Sequence, residues 1–271
     1  MTRMTRKTPG PARSIARVAV AIAAAAAVLP TPNAPTASAS AVGFCDRIGG
    51  QWDGRYCSAA VVSDRKAVRQ IAIAVPAEID DPLMGGVLSD YLATLMTNWR
   101  TLGQGMAADS WGNANLEVFS HGSLRSLVFH EDYHADGTAI NDAYRTFTFD
   151  LAAGRQVQLA DLLNPGTPLT AIPPLAAPFI QAALDAAPPP HPPNTYPFVP
   201  DRWTPDKVYS GGYRAWALNA GELILYLPDY PVGRDSPVDF SPTALQWSMN
   251  GGVVAPRIPL SALAPILRPG I

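Results

Sequence analysis

The sequence predicts an α+β fold, with a mostly antiparallel curved sheet and packed helices, preceded by a small disulfide-closed hairpin. Three observations predict it. Between residues 69 and 159 several short runs alternate apolar and polar residues, the period of a half-buried strand. The segment 83–102 instead spaces its apolar residues three and four apart, as a helix does. Near the N-terminus Cys45 and Cys57 bracket a turn signal.

Composition sets the outer bounds. The chain has 271 residues, 48% hydrophobic and 15% charged, which argues against disorder along its whole length. This length can bury a core without metals, and two cysteines do not make a disulfide-framework miniprotein. No Lys/Arg run follows the first seventeen residues, which argues against nucleic-acid binding.

The N-terminus carries an export pattern. Arg3, Arg6, Lys7, Arg13 and Arg17 precede the apolar run Val18 to Leu29, and Ala37-Ser38-Ala39 follows as a small-x-small cleavage signature. This is the layout of a secretory signal peptide, expected over residues 1–39. The apolar run is short of the roughly twenty residues that span a bilayer. Removal leaves 15 basic and 22 acidic residues, a net charge of −7 and no membrane span in the mature form. The expected location is therefore secreted or cell-envelope associated.

Export also bears on the cysteines. In an oxidising compartment Cys45 and Cys57 are expected to pair. Between them Asp53-Gly54 predicts a type I′ hairpin turn, in which both central residues take positive φ. Closing this loop contributes about 3 kcal/mol in the chain-entropy picture. Trp52 and Tyr56 place two aromatic rings beside polar groups on that loop. Such amphipathic rings suit a sugar face, and they suit packing the hairpin onto the body equally well.

Farther along, 69–75 (RQIAIAV) predicts a strand ended by Pro76, and 83–102 a helix stopped near Gly103. Residues 115–120, 124–130, 144–151 and 156–159 predict an antiparallel meander. Part of 169–187 is expected to be helical, interrupted by Pro173, Pro174 and Pro178. Residues 187–205 hold eight prolines and predict an extended stretch, either a linker or a long loop in one domain. Beyond it, 213–219 and 222–227 predict a hairpin, 252–258 a strand and 260–267 a short helix.

No coherent catalytic set emerges. His130-Glu131-Asp132-Tyr133-His134 matches H-E-x-x-H, which binds zinc only when a helix puts both histidines on one face. Here Leu127-Val128-Phe129 predicts a strand, which would hold the histidines roughly 13 Å apart. No G-x-S-x-G elbow is present, and Ser123 and Ser210 sit in turn-like surroundings. The predicted site thus has no catalytic residue, no metal and no cofactor.

Cys45-Asp-Arg-Ile-Gly-Gly-Gln-Trp-Asp-Gly-Arg-Tyr-Cys57 resembles the G-G-x-W-x-G-x-[WY] element of the mannan-binding lectin family first known from cyanobacteria. There it recurs in tandem and contributes to an oligomannose site; here it occurs once, over some thirteen residues. The resemblance implies a glycan-binding role for Gly49, Gly50, Trp52, Asp53, Gly54 and Tyr56.

A second resemblance covers roughly residues 61–268. Ser126-Leu-Val-Phe, Phe147-Thr-Phe-Asp-Leu151, Gln158-Leu-Ala-Asp-Leu162, Trp216-Ala-Leu, Gly221-Glu-Leu-Ile-Leu-Tyr-Leu227 and Ile258-Pro-Leu260 carry it. This order is similar to the secreted immunogenic proteins of mycobacteria and the extracellular domain of RsiV-type anti-sigma factors. It implies an exported α+β domain over 61–271, after a hairpin element at 40–60, with no settled catalytic site. The expectation is an exported, non-enzymatic protein that binds a mannose-containing glycan or an extracellular protein. The rival is a secreted hydrolase, an esterase using a serine such as Ser123 or a zinc peptidase using His130 and His134.

Overall fold

The computed structural model describes residues 39–135, 138–187, 192–195, 197–228 and 253–271. The predicted signal peptide, apart from Ala39, lies outside the described residues, as do 188–191 and 196 of the proline-rich stretch. The first half comprises α1 (Ala39–Arg47), β1 (Gln51–Trp52), β2 (Tyr56–Val62), β3 (Val68–Ala74), α2 (Gly85–Gln104), β4 (Ser110–His121), β5 (Leu124–Ala135) and β6 (Thr138–Asp150). There follow β7 (Arg155–Gln156), α3 (Ile172–Ala186), β8 (Trp216–Leu218), β9 (Glu222–Leu225), β10 (Leu227–Pro228), β11 (Val253–Val254), β12 (Arg257–Pro259) and α4 (Leu260–Leu263).

Strands β1 to β7 form one seven-stranded sheet in chain order. Every pairing in it is antiparallel except β3 with β4, which run parallel. A parallel pair needs a long crossover, and α2 supplies it. Its Leu88, Leu92, Leu95, Met96 and Trp99 are buried at helical spacing. They pack on Ile71, Ile73, Leu127, Phe129 and Phe149 from one face of the sheet. The predicted helix at 83–102 and strand at 69–75 therefore stand within two residues of their expected bounds.

The other face of the sheet is covered at one end by a smaller sheet of order β12-β9-β8. Ala217, Ile224 and Tyr226 meet Val128 there. The reverse side of the small sheet, Leu218, Leu223 and Leu225, packs on Ile172, Ala176, Ile180 and Leu184 of α3. In 144–151 Thr146 and Thr148 alternate with Phe147 and Phe149, yet Thr148 is buried. Ser126 Oγ lies 2.9 Å from Thr148 Oγ1 and accepts the Leu218 N–H, while Thr146 Oγ1 accepts the Trp216 N–H. These hydroxyls satisfy backbone donors of β8, so a polar row serves as an inter-sheet seam.

Helix α3 runs through the prolines expected to interrupt it. Pro173 and Pro174 lie in its first turn, where an amide has no intrahelical acceptor. Pro178 faces solvent, while the four-spaced apolar residues of the opposite side hold the helix to the core.

Candidate functional site

The lectin-like element is built into the large sheet. Cys45 on α1 and Cys57 on β2 form a disulfide with both sulfurs fully buried. The bond therefore joins helix to strand, and the short β1–β2 hairpin lies inside the loop it closes. Phe44, Cys45 and Cys57 belong to the same core as Leu88, Leu92 and Trp99. Strand β2 runs from Tyr56 to Val62, across residue 60, the expected end of the hairpin element.

The hairpin turn differs from the predicted one. Only Gly54 of the Asp53-Gly54 pair has positive φ, at 105°, and the Asp53 N–H bonds to the Tyr56 carbonyl. The central pair is therefore Gly54-Arg55. Asp53 occupies the corner, where its Oδ1 accepts the N–H groups of Arg55 and Tyr56. Those two backbone donors hold the Asp53 carboxyl below its ordinary pKa.

Register separates the two aromatic residues. Trp52 pairs with Cys57, so its half-buried ring packs against the core. Tyr56 precedes Cys57 and lies on the opposite face. Its hydroxyl donates to Asn115 Oδ1 on β4 at 2.8 Å, and Arg55 stacks over its ring. Trp52 and Tyr56 do not form one platform. Gly50 abuts the disulfide, where any Cβ would collide with Cys57 Sγ. Gly49, with φ of 71°, sits against the Arg100 guanidinium of α2.

Arg100 was missed in the sequence. Its two terminal nitrogens donate to the Ile48 and Gly49 carbonyls at 2.6 Å each, pinning the loop before β1 to α2. Ser58 and Gln70 share a face with Gln51, as the pairings Gln51 with Ser58 and Ala60 with Gln70 require. Counting by twos from Gln51 would have found them, given the register.

Among the described residues the rival catalytic sets are not assembled. H-E-x-x-H lies on β5, so the zinc-peptidase helix is absent. His130 stacks on Tyr144 with ring centroids 4.5 Å apart, while Glu131 points into the core. The Tyr91 hydroxyl donates to Glu131 Oε1 at 2.8 Å, and Arg145 lies 4.0 Å away. Burial raises the Glu131 pKa despite Arg145, and it raises that of Tyr91 as well. Ser123 Oγ donates to Asp150, and His121 Nδ1 contacts the Asn219 carbonyl, so among the described residues this serine bonds to a carboxylate and not to an imidazole. Ser210 Oγ donates to the Lys207 carbonyl. No group of three metal-ligating side chains exists among the described residues, and His191 lies outside them.

The elevated Glu131 pKa has a consequence for stability. Folding favours the protonated form, so this contribution is full below the unfolded carboxyl pKa and is lost as pH rises through the folded value. Glu131→Gln cannot ionise and keeps what the wild type loses above about pH 4.5. Denaturant midpoints measured from pH 4 to 8 should show the variant gaining on the wild type as pH rises. Parallel profiles would exclude this role.

An α+β body of two sheets, each with a helix packed on its outer face, and a disulfide-tied helix and hairpin on the larger sheet define the class. Residues 160–261 match the family described as "Protein of unknown function (DUF3298)", and residues 34–71 match the family described as "Mannan-binding protein". These two matches, over residues 160–261 and 34–71, agree with the two resemblances carried by the sequence. The crystal structure of a DUF3298 family protein from Pseudomonas aeruginosa PAO1 is similar at a TM-score of 0.51 and 16% identity, covering 79% of this chain and 94% of that one. A DUF3298 member from Bacteroides fragilis gives a TM-score of 0.45 at 10% identity, over 79% and 92%. No curated protein matches the chain. Among the described residues no helix is long and apolar enough to cross a membrane.

Proposed function

We propose that this chain is an exported, non-enzymatic binding protein of the cell envelope or extracellular space, and that its N-terminal element binds mannose-rich glycan. The match of residues 34–71 to the mannan-binding family carries this reading. The element's disulfide and its shared core give it a rigid base, which limits the entropy lost when a ligand docks. Export rests on the N-terminal basic, apolar and small-residue sequence. The test is retention of the secreted chain on immobilised mannan. Retention competed by free mannan is the expected result; passage straight through the column would overturn the glycan reading. N-terminal sequencing of the same material tests cleavage after Ala39.

A further inference from the structure

Strand β1 covers β2 only at Cys57 and Ser58. From residue 59 onward β2 is an edge strand, and a groove of about 390 Å³ opens beside it. Ser58 and the two following alanines, with Gly49, Gln51, Gln70 and Arg100, line the groove. Its volume is within the range of small-ligand sites.

The lining is selective in its chemistry. The side chains of Gln51, Ser58 and Gln70 make no hydrogen bond to any described residue. Each carboxamide offers two donors and an acceptor, and the hydroxyl can serve as either. Arg100 carries the only formal charge among the lining residues, and both its terminal nitrogens already serve backbone carbonyls. A phosphate or carboxylate would compete for a guanidinium in use, and a cationic ligand would find no carboxylate. No aromatic ring lines the groove, so a sugar would be gripped by its hydroxyls and not stacked by its face.

We propose that this groove binds a neutral saccharide edge-on through Gln51, Ser58 and Gln70, against a wall that Arg100 holds in place. The assignment rests on the glycan-binding reading and moves its centre from Trp52 and Tyr56 to the β2 edge. Because Arg100 comes from α2, the site is completed by a residue outside the 34–71 segment.

The test compares the secreted chain with Gln70→Ala and Ser58→Ala on an array of neutral and acidic glycans that includes mannan. Gln70 is exposed, so its variant should keep the fold, and thermal unfolding checks this for both. The expected result is mannan binding about tenfold weaker in each variant. That binding should change little between low and high salt, since no free charge pair forms. Binding to mannan and to every other neutral glycan unchanged in both variants overturns the groove and leaves the glycan function standing. Loss confined to another neutral glycan sustains the groove and removes mannan as its ligand. Binding only to acidic glycans, or to none, overturns the proposal.

Discussion

Replacing Arg69 by alanine should destabilise the fold by about 3–5 kcal/mol, as expected for removing a large, fully buried side chain and its polar contacts. Arg69 is buried on β3, and among the described residues its hydrogen bonds go to hydroxyl, carbonyl and thioether groups. Its Nε donates to Ser110 Oγ at 3.0 Å, Nη1 to the Trp99 carbonyl at 3.2 Å and Nη2 to the Tyr133 hydroxyl at 2.7 Å. The guanidinium also stacks 4.2 Å from the centre of the Tyr133 ring. Three elements therefore converge on this residue of β3: β4 through Ser110, the C-terminal part of α2 through Trp99, and β5 through Tyr133. Alanine leaves a cavity and takes a donor from the Tyr133 hydroxyl, the Ser110 hydroxyl and the Trp99 carbonyl, and a buried polar group left unsatisfied costs about 1–3 kcal/mol. Urea unfolding should show a lower midpoint at unchanged slope. A loss below about 1 kcal/mol would mean that the site collapses or hydrates, and that the arginine is not a keystone.

Arg69 also shows where sequence periodicity stops being informative. The run at 69–75 was legible as a strand because residues 71, 73 and 75 alternate, and Arg69 simply looked like its polar start. Its burial depends on Ser110 and Tyr133, 41 and 64 residues away. The same holds for β5 and β6, which extend to 135 and begin at 138, beyond the expected 124–130 and 144–151. Glu131 breaks the apolar pattern, and Arg145 of β6 together with the Tyr91 hydroxyl of α2 makes its burial tolerable. Helix α2 was legible because one stripe, Leu88 to Trp99, meets one continuous sheet face. Helix α1 was not predicted: it has nine residues, and its buried Ala41, Phe44 and Cys45 make a stripe barely one turn long.

The candidate site was legible as a segment and not as a surface. Gly49, Gly50 and Gly54 are each required by geometry, the first two by Arg100 and the disulfide, the third by its positive φ. Trp52 and Tyr56 looked like a pair because they are close in sequence. An odd register offset puts them on opposite faces, and that offset is set by the pairing of Trp52 with Cys57. Nothing local to 45–57 announces Gln70 or Arg100, which reach the groove through β2–β3 pairing and the packing of α2.

Cys45→Ala with Cys57→Ala should cost about 2–5 kcal/mol, most of it from releasing a short loop in the unfolded chain. The sequence separation is 12 residues, and both sulfurs are fully buried. That burial makes the genetic experiment more decisive than a reducing agent, because thiolate attack requires access to a sulfur. A reductant should leave the native chain oxidised for as long as it stays folded, then act during unfolding. The alanine pair also empties the space against Gly50, whose backbone N–H bonds to the Cys45 carbonyl. Helix α1 would then be held chiefly by Phe44 and by the Arg100 clamp on the loop that follows it. The expected outcome is a lowered unfolding midpoint together with weaker mannan retention, since Gly49 and Gln51 line the groove and depend on that loop. Lost stability with full retention would show that Arg100 alone fixes the wall. Unchanged stability would mean that the helix and the strand stay together without the covalent bond.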